Sequence, residues 1–369
     1  MDRGTNMISK IPVKLKDNPY IIAIGYDILG ELPKHISALG FGKDAVIISH
    51  PIIERLYGVK LSAALKKAGY SVKVFNVPEG EKSKSAACAM SLLKEISRYD
   101  VDKNIFIIAL GGGVIGDLAG FVAAIYKRGV PYIQVPTTLL AQIDSSIGGK
   151  TAIDLETGKN LVGAFYQPRL VWADTKVLKT LSQRQISNGL AEAVKYGVIA
   201  DPELFSYIEA NHQKFFKGEI DVLNFIVRRC AAIKAGVVSK DEKETKGLRT
   251  ILNFGHTVGH AVEAASQYDQ YHHGESVGLG MRVALRISVS LKLLSIPQEH
   301  RINQLISSVG LPEKIVGVRL PKILDLMRHD KKFVAGRNRF VLARRIGQVD
   351  VVSDIPTDII TQSIQAYLV

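Results

Sequence analysis

The first half of the chain alternates short apolar runs with longer amphipathic stretches. Five apolar runs are typical of buried strands, namely residues 20–24 (YIIAI), 45–49 (AVIIS), 72–77 (VKVFNV), 104–110 (NIFIIAL) and 132–136 (YIQVP). Between them, segments such as 51–69 and 83–99 carry apolar residues at helical spacing. This alternation, which runs from Tyr20 to about Trp172, predicts a parallel sheet with helices on both of its faces.

The pattern changes after about residue 180, where apolar residues recur mainly at helical spacing. The predicted helices are residues 184–210, 221–239, 248–267, 275–294, 298–309 and 321–329. A late hairpin, RFVLARRIGQVDVV, is expected from Arg339. We therefore predict an α/β N-terminal domain with a parallel sheet over residues 1–178 and a mainly α-helical C-terminal domain over residues 179–369.

The composition is that of a globular protein, with 47% hydrophobic and 22% charged residues among 369. Its two cysteines, Cys88 and Cys230, stand far apart, which fits a reducing compartment. The opening residues show no pattern of a signal peptide. The apolar segment 105–126 contains Asp117 and five glycines, so it favours a buried strand, turn and helix over a membrane span. We expect a cytoplasmic protein without membrane contact.

The formal net charge of +13 raises the possibility of an anionic partner. The lysines and arginines are scattered, no basic run exceeds two residues, and no RNA-binding or helix-turn-helix motif occurs. We therefore expect no nucleic-acid partner. Two interpretations stay open: a solvated basic surface, or cations gathered around a small anionic substrate.

A glycine-rich turn follows the predicted strand at 104–110. Gly111, Gly113 and Gly116 satisfy G-x-G-x-x-G, and a helix N-terminus behind such a turn can bind a pyrophosphate. The acidic residue that usually follows about 20 positions later is absent, because that region reads VPYIQVP. The turn therefore favours a nucleotide site that differs from the ordinary dinucleotide fingerprint.

Two further stretches are polar where a core would be apolar. Residues 136–154 (PTTLLAQIDSSIGGKTAID) and 157–168 (TGKNLVGAFYQP) place polar side chains beside glycines and after strands. Such a concentration favours a polar ligand at the carboxyl edge of the sheet. The side chains are Thr137, Thr138, Asp144, Lys150, Lys159 and Asn160.

Four of the nine histidines lie between residues 253 and 278. His256 and His260 are four apart in a predicted helix and would face the same side, as two zinc ligands on a helix do. His272 and His273 follow after a short loop, with Glu263 and Glu275 nearby in the sequence. A metal site is one interpretation, and helix caps or core hydrogen bonds are the other.

A catalytic zinc needs a third protein ligand, and an apolar helix at 189–199 offers Glu192. Lys195 follows one turn later on the same face. Because a buried carboxylate needs a partner, Glu192 is either a metal ligand or half of a structural ion pair with Lys195. The spacing alone leaves both open.

A set of cations and amides accompanies the histidines. Arg249 and Asn253 precede His256, and Arg249 suits a carboxylate or phosphate group through paired hydrogen bonds. Lys234, Lys331 and Lys332 complete the set. Together these residues favour an anionic substrate of the helical domain.

Six blocks together resemble the 3-dehydroquinate synthase family of sugar phosphate cyclases, in the same order and over nearly the whole chain. They are GGGVIGDLAGF, QVPTTLLAQIDSSIGGKTAID, GKNLVGAFYQP, GLAEAVKYGVI, LNFGHTVGHAVEA and HGESVGLGM. The resemblance implies a phosphate-eliminating lyase of the shikimate pathway, which serves aromatic amino acid biosynthesis. Such an enzyme converts 3-deoxy-D-arabino-heptulosonate 7-phosphate to 3-dehydroquinate, with NAD and one divalent metal, zinc or cobalt, as cofactors.

The same resemblance assigns roles to individual residues. It implies Glu192, His256 and His273 as metal ligands, in place of the His256–His260 pair that spacing suggests, and His260 as a proton-handling residue. For the substrate it implies Lys150, Asn160, Lys195, Lys234, Arg249, Asn253 and one of Lys331 or Lys332, with Arg128 reaching the phosphate from the neighbouring subunit of a homodimer. For NAD it implies Glu79, Gly80, Glu81, Lys82, Ser83, Lys84, Gly113, Val114, Ile115, Gly116, Asp117, Thr137, Thr138, Asp144, Lys150, Lys159, Lys179 and Thr180.

The chemistry that the resemblance implies is a transient oxidation. NAD removes hydride from C5, phosphate leaves by β-elimination after loss of the C6 proton, and the hydride returns before an intramolecular aldol closes the ring. Two departures stand out: His50 occupies a position where the family has Asp or Asn near the adenosine ribose, and KDEKETKGLR is one residue longer than usual.

Two alternatives share much of this pattern. Polyol dehydrogenases have a similar glycine turn and metal, but they have less need for Lys150, Lys195, Lys234 and Arg249. Cyclases that form inosose or valiolone rings are nearer rivals. The pair of Asn253 and His260 resembles the dehydroquinate enzymes more than these relatives.

Overall fold

A computed structural model of the chain describes residues 8–266, 269–328 and 338–369. Within these ranges the strands are β1 Ser9–Val13, β2 Tyr20–Gly25, β3 Asp44–Ser49, β4 Ser71–Asn76, β5 Ile105–Gly111, β6 Tyr132–Pro136, β7 Lys150–Leu155, β8 Gly158–Phe165, β9 Leu170–Asp174, β10 Arg339–Arg345 and β11 Gln348–Ser353. The α-helices are α1 Leu32–Ser37, α2 Pro51–Ile53, α3 Val59–Lys67, α4 Ala86–Tyr99, α5 Gly113–Ile125, α6 Gln183–Ala200, α7 Pro202–Phe216, α8 Ile220–Lys240, α9 His256–Ala265, α10 His273–Ser290, α11 Ile296–Ser308, α12 Leu320–Arg328 and α13 Thr357–Gln365.

Shorter helical segments connect these elements. The 3₁₀ segments are Leu29–Glu31, Glu81–Ser83, Tyr126–Arg128, Thr175–Thr180 and Leu248–Asn253, and the π segments are Glu54–Gly58 and Ala141–Ser145. Among the helices so described, none combines the length and the apolar character that crossing a bilayer requires.

The chain forms two compact units. The first comprises residues 1–181 and 223–243, and the second comprises residues 182–222 and 244–369. The first unit therefore takes most of α8, which lies between helices of the second unit in the sequence. The domain boundary predicted between residues 178 and 179 stays a prediction.

The first unit is built on a sheet in the order β1-β2-β9-β6-β5-β3-β4. From β2 to β4 every neighbouring pair is parallel, whereas β1 joins the edge antiparallel to β2. β5 lies inside the sheet and is buried along its whole length, which explains its uninterrupted apolar sequence. The predicted parallel sheet is confirmed.

Helices cover both faces of this sheet, as predicted. On one face Val46 and Ile48 of β3 join a buried cluster with α4 and α5, while Ala45 and Ile47 join a second cluster with α1 and α3 on the other face. This alternation follows from the two-residue period of a strand. The two apolar layers hold the carboxyl ends of the strands at one edge of the sheet.

Two helix boundaries in the second unit differ from the predictions. The helix predicted over 184–210 is two helices, because Pro202 lacks an N–H and Asp201 caps α7 by accepting a hydrogen bond from the Leu204 N–H at 3.0 Å. The helix predicted over 248–267 is a 3₁₀ segment followed by α9, with Gly255 at φ +80° between them. The late hairpin is confirmed as β10 and β11.

Sequence pattern alone missed three features of the first unit, one of which is β9, the strand between β2 and β6 in the sheet. The polar stretches 136–154 and 157–168 contain the antiparallel pair β7–β8, which the mixed composition of these stretches concealed. β1 was also missed, because Pro12 and alternating exposure along this edge strand weaken its apolar signal.

Candidate active site

The glycine turn between β5 and α5 forms an open helix N-terminus. Gly112 precedes the helix, and no side chain of the described residues caps it. A Cβ on Gly111 would lie 2.6 Å from the Ile115 Cβ, and a Cβ on Gly116 would lie 2.8 Å from the Gln134 side-chain oxygen. Close packing therefore requires glycine at both positions, and the uncapped first turn has N–H groups that could bind an anion.

A buried lysine organises the residues beside this turn. Lys84 is 4% exposed, and its ammonium lies 2.6 Å from an Asp117 carboxylate oxygen and 4.0 Å from Asp154. It also donates to the Asn160 side-chain oxygen. Burial raises the pKa of Asp117, although the Lys84 charge opposes it, and the net pKa is about 6. The structure thus brings together Lys84, Asp117 and Asn160, which the sequence assigned to cofactor and substrate.

Other predicted cofactor residues lie around the same sheet edge. The Lys159 ammonium is 3.7 Å from a Glu81 carboxylate oxygen, and Thr180 contacts the Tyr57 hydroxyl. Lys179 donates to the Tyr26 hydroxyl at 3.4 Å. The remaining predicted cofactor residues lie in or just before the 3₁₀ segment Glu81–Ser83, in the first turn of α5 and in the loop after β6. They are Glu79, Gly80, Lys82, Ser83, Gly113, Val114, Ile115, Thr137 and Thr138. Tyr26 and Tyr57 were not predicted, since aromatic residues carry no motif that marks them.

Lys234 of α8 also belongs to the first unit. Its ammonium donates to the Asp144 carboxylate at 2.7 Å and to the Asp144 backbone carbonyl at 2.8 Å. Lys234 is 7% exposed, so this pair is largely removed from water. Lys150 begins β7 and is exposed, and Arg128 ends the 3₁₀ segment after α5 at φ +64°.

Three ligand-type side chains converge in the second unit. Glu192 of α6, His256 of α9 and His273 of α10 place one donor atom each within 4.8 Å of one another. The Nε2 atoms of His256 and His273 lie 3.4 and 3.5 Å from the same Glu192 carboxylate oxygen. Two imidazoles and one carboxylate form a donor set that suits zinc or a similar divalent cation.

The Nδ1 atoms of His256 and His273 each have a hydrogen-bond partner, which fixes the orientation of both imidazole rings. The Nδ1 of His256 lies 3.1 Å from the Phe254 carbonyl oxygen, and the Nδ1 of His273 lies 3.3 Å from a Glu263 carboxylate oxygen. With Nδ1 engaged in this way, the Nε2 of each ring is the atom that faces Glu192 and that a metal ion would take once it is deprotonated. Both histidines are thus preset as Nε2 ligands.

Glycines allow the three helices to approach closely enough. A Cβ on Gly280 would lie 1.8 Å from the Gly255 carbonyl oxygen, one on Gly259 would lie 2.9 Å from the Ser276 carbonyl oxygen, and one on Gly274 would lie 2.0 Å from the Asn188 carbonyl oxygen. Backbone contact therefore joins α9 to α10 and α10 to α6. His256 and His273 are the first residues of α9 and α10, so this packing sets the distance between their rings.

Electrostatics favour a positive charge at the centre of this group. Burial lowers the pKa of His273, but the hydrogen bonds with Glu192 and Glu263 raise it by more, so the pKa is about 10. The Lys195 ammonium also contacts Glu192, and both side chains are buried. The two carboxylates thus stabilise cationic groups at the place where a metal ion would lie. Glu192 forms the ion pair and also faces both histidines, so the two interpretations of Glu192 are compatible.

The other histidines of the segment have different surroundings. The His260 ring lies beside the group, with its centroid 5.2 Å from that of His256 and 5.9 Å from that of His273. His272 precedes α10, and its N–H donates to Glu275 at 2.8 Å. Glu275 also pairs with Arg184 at 2.7 Å, so this carboxylate serves a helix cap and an ion pair.

The predicted substrate residues of the second unit lie next to α9 in the sequence. Arg249 and Asn253 belong to the 3₁₀ segment, so the prediction that they share one helix with His256, over 248–267, is wrong. Arg249 is 3% exposed and lies 3.2 Å from a Glu244 carboxylate oxygen. Lys331 and Lys332 lie outside the described residues.

Comparisons with solved structures identify the fold. The chain aligns with a 2-deoxy-scyllo-inosose synthase complexed with carbaglucose-6-phosphate, NAD⁺ and Co²⁺, at a TM-score of 0.87 and 26% identity, over 98% of this chain and 100% of that one. An iron-containing alcohol dehydrogenase aligns with a TM-score of 0.66 and 16% identity, over 97% and 98% of the two chains, and shows a shared fold only.

Sequence comparisons identify the family. The model described as 3-dehydroquinate synthase N-terminal matches residues 74–188, and the model described as 3-dehydroquinate synthase C-terminal matches residues 189–333. The 3-dehydroquinate synthase of Desulforamulus reducens is 45% identical over 94% of this chain and 96% of its own. That of Pelotomaculum thermopropionicum is also 45% identical, over 96% of both chains. The chain belongs to the 3-dehydroquinate synthase family.

Proposed function

We propose that this chain is a 3-dehydroquinate synthase that converts 3-deoxy-D-arabino-heptulosonate 7-phosphate to 3-dehydroquinate and phosphate. The observation that carries the proposal is the group of Glu192, His256 and His273, the first two of them buried, within a chain 45% identical to enzymes of that name over almost its full length. The reaction removes the elements of phosphoric acid from the substrate and closes a carbocycle, without net oxidation.

The cofactors are NAD and one divalent cation, zinc or cobalt. Bound NAD would supply a hydride acceptor that later returns the hydride to the substrate. While the substrate is oxidised, the carbon next to the oxidised position is acidic, which allows the elimination. A bound divalent cation supplies Lewis acidity to the hydroxyl groups of the substrate. The solved 2-deoxy-scyllo-inosose synthase, 26% identical to this chain, carries NAD⁺ and Co²⁺.

Residues of the first unit fit the cofactor role. The uncapped N-terminus of α5 accepts the pyrophosphate, and Gly113, Gly116 and Asp117 line its first turn. Lys84 holds Asp117 and Asn160 in place through its buried ammonium. The charges of Lys84 and Asp117 are paired with each other, so they do not compete for the phosphate groups. The backbone N–H groups at the N-terminus of α5 are then available to the pyrophosphate of a dinucleotide.

Residues of the second unit fit the metal and proton roles. Glu192, His256 and His273 hold the cation, while Glu263 and the Phe254 carbonyl orient the two imidazoles. We assign proton transfer at the substrate hydroxyls to His260, since its ring stands next to both histidines and belongs to the same helix as His256. The charge of Lys195 beside Glu192 limits the negative charge of the group.

The cations of both units are assigned to the substrate anions. Arg249 and Lys234 are buried cations that already contact carboxylates, which keeps their side chains ordered before a substrate binds. Further assigned contacts are Lys150, Asn160, Lys195, Asn253 and one of Lys331 or Lys332.

The proposal includes a homodimer in which each copy contributes its Arg128 to the substrate site of the other copy. In its support, β8 exposes the apolar side chains Leu161, Val162 and Phe165 by 46, 37 and 46%. The Tyr166 hydroxyl next to this strand donates to the Val130 carbonyl at 2.8 Å, so the Arg128 segment and the exposed strand are neighbours. A second copy that covers β8 would also meet Arg128. The cytoplasmic location stays a prediction.

The test is turnover of 3-deoxy-D-arabino-heptulosonate 7-phosphate with NAD and zinc or cobalt. Phosphate release is measured directly, and dehydroquinate through a coupled dehydratase. We expect equal amounts of both products, no accumulation of NADH, and loss of turnover in EDTA that zinc or cobalt restores. Accumulating NADH would indicate a dehydrogenase, and turnover of glucose 6-phosphate instead would indicate a different cyclase.

A further inference from the structure

A cavity of about 650 Å³ lies in the second unit, among α10, α11, the segment that follows α11, and Tyr367 near the C-terminus. Glu192, His256 and His273 are not among its lining residues. The lining side chains are mostly charged, hydroxyl or amide groups, and they include the buried cation Arg282. A volume of this size is typical of pockets that hold small organic molecules.

Arg282 is held by neutral groups. It is 4% exposed; its Nε donates to the Pro312 carbonyl at 3.1 Å, one terminal nitrogen lies 3.2 Å from the Asn303 amide oxygen, and the other donates to the Ser307 hydroxyl at 2.8 Å. The first terminal nitrogen also approaches the Asn303 carbonyl at 3.4 Å. Since a guanidinium has five N–H groups, one remains without an acceptor among the described residues, on a side chain that lines the cavity.

The charge of Arg282 also lacks a direct counterion. In the described parts of the chain, no carboxylate lies within ion-pair distance of its guanidinium, and Glu313 reaches it only through the Ser307 hydroxyl, which donates to Glu313 at 2.6 Å. Burying an ion without a partner is costly. In agreement, burial lowers the pKa of Arg282 below its usual value.

A second cation lines the same cavity. The Lys314 ammonium is exposed and donates to the Ala366 carbonyl at 3.0 Å, which leaves two of its three N–H groups for another acceptor. Among the charged side chains that line the cavity, Arg282 and Lys314 are cations and Glu313 is the carboxylate, so cations exceed anions by one. An anion in the cavity would balance this excess.

We propose that this cavity binds a small organic anion through a carboxylate or phosphate group. The anion accepts hydrogen bonds from Arg282 and Lys314, and its polar body faces the hydroxyl and amide side chains of α11. Binding supplies the buried guanidinium with its missing counterion, so it stabilises the folded state. This site is independent of the proposed synthase activity.

The experiment compares anion binding by the wild type, Lys314→Gln and Lys322→Gln. Lys322 is an exposed lysine of α12 outside the cavity, so it controls for the loss of one positive charge. The probes are inorganic phosphate and malonate, with chloride at equal ionic strength as the reference. Thermal unfolding measures the gain in stability, and titration calorimetry measures the number and the affinity of the sites, because phosphate is also a product of the proposed reaction.

We expect phosphate, malonate or both to raise the unfolding temperature of the wild type and of K322Q above the chloride reference. In K314Q the affinity of the cavity site falls about tenfold, whereas K322Q keeps the wild-type affinity. The probe whose affinity falls in K314Q identifies the anionic group. Equal affinities in K314Q and K322Q for both probes would overturn the proposal, and so would the lack of any effect beyond that of chloride. Arg282→Lys is a second variant, and K314Q decides the outcome if R282K fails to fold.

Discussion

Glu263 shows how one buried residue can set the chemistry of its neighbour. It is 7% exposed and lies 3.3 Å from the Nδ1 of His273, so the imidazole is held with Nε2 directed toward Glu192. Partners of this kind orient metal-bound histidines and raise their basicity. Sequence spacing alone drew attention to His256 and His260, because nothing in a linear pattern shows which nitrogen of which ring is oriented.

The Glu263→Gln variant is expected to bind zinc about tenfold to a hundredfold more weakly than the wild type. The neutral amide accepts a weaker hydrogen bond from His273 and no longer balances its charge. Competition with a chromophoric chelator, in the absence of substrate, measures the affinity. Glu95→Gln, an exposed change on α4, is the control, and circular dichroism verifies folding. Equal zinc affinities of the two variants would show that Glu263 has no role in orientation.

Asp117 makes a pH-dependent contribution to stability. Its pKa is about 6 in the folded protein and 3.8 in the reference state, so the folded state binds more protons between these values. The free energy of unfolding therefore falls as pH rises from about 4 to about 6, by at most about 1.4 kcal/mol for each unit of pKa difference.

We expect Asp117→Asn to remove this slope, since the amide does not titrate. The measurement is denaturant unfolding of cofactor-free protein across the same pH range. The free energy of unfolding of the variant is subtracted from that of the wild type at each pH. A difference that grows with pH, instead of shrinking, would contradict the raised pKa. Carbon NMR of the Asp117 carboxyl group gives an independent value.

At the scale of elements, glycines decide how close α6, α9 and α10 approach. Glycine at 255, 259, 274 and 280 permits backbone contact that any side chain would prevent. Hydrophobic periodicity predicted the existence of these helices but not their separation. The sequence cannot show this separation, because the atoms that a Cβ would strike belong to another helix.

Gly280→Ala is expected to destabilise the protein by about 3 kcal/mol or more and to weaken metal binding, because its Cβ would lie 1.8 Å from the Gly255 carbonyl oxygen. Gly236→Ala on α8 is the matched control: a Cβ at this position would have no neighbouring atom within 4 Å, so helix propensity should stabilise the variant by about 0.5–1 kcal/mol. Urea unfolding measures both changes. A loss of stability in G236A similar to that in G280A would refute the packing argument.

At the scale of the whole molecule, the two units carry different parts of the proposed chemistry. The first unit presents the α5 N-terminus and the Lys84 network, and the second presents the group around Glu192. The net charge of +13 is consistent with an anionic substrate, and several of the cations are buried beside carboxylates and do not line the surface.

Association of two copies is the prediction that belongs to this scale. Sedimentation equilibrium should give a dimer for the wild type, while Leu161→Lys on the exposed strand β8 should shift the equilibrium toward monomer by about 1–3 kcal/mol. Val59→Lys replaces a side chain of α3 that is 65% exposed and should leave the dimer intact. A dimer that L161K does not weaken would exclude β8 from the interface, and a monomeric wild type would exclude the homodimer.

The sequence by itself determined the types of element, the two regions of different character and the family. Strand and helix periods follow from local geometry, so runs such as 104–110 and the helical stretch after residue 180 could be interpreted without tertiary information. The six motif blocks carried the resemblance to the family because their residue types and order occur together along one chain.

Only the tertiary structure decided which side chains meet. Glu192, His256 and His273 come from three helices, and their distances depend on glycine contacts between those helices. Apolar periodicity also does not record local backbone geometry. That geometry divides the predicted helix at Pro202, ends the 3₁₀ segment before Gly255 and pairs β7 with β8. The physical reason is that periodicity reports which face of an element is buried, whereas a site depends on distances between different elements.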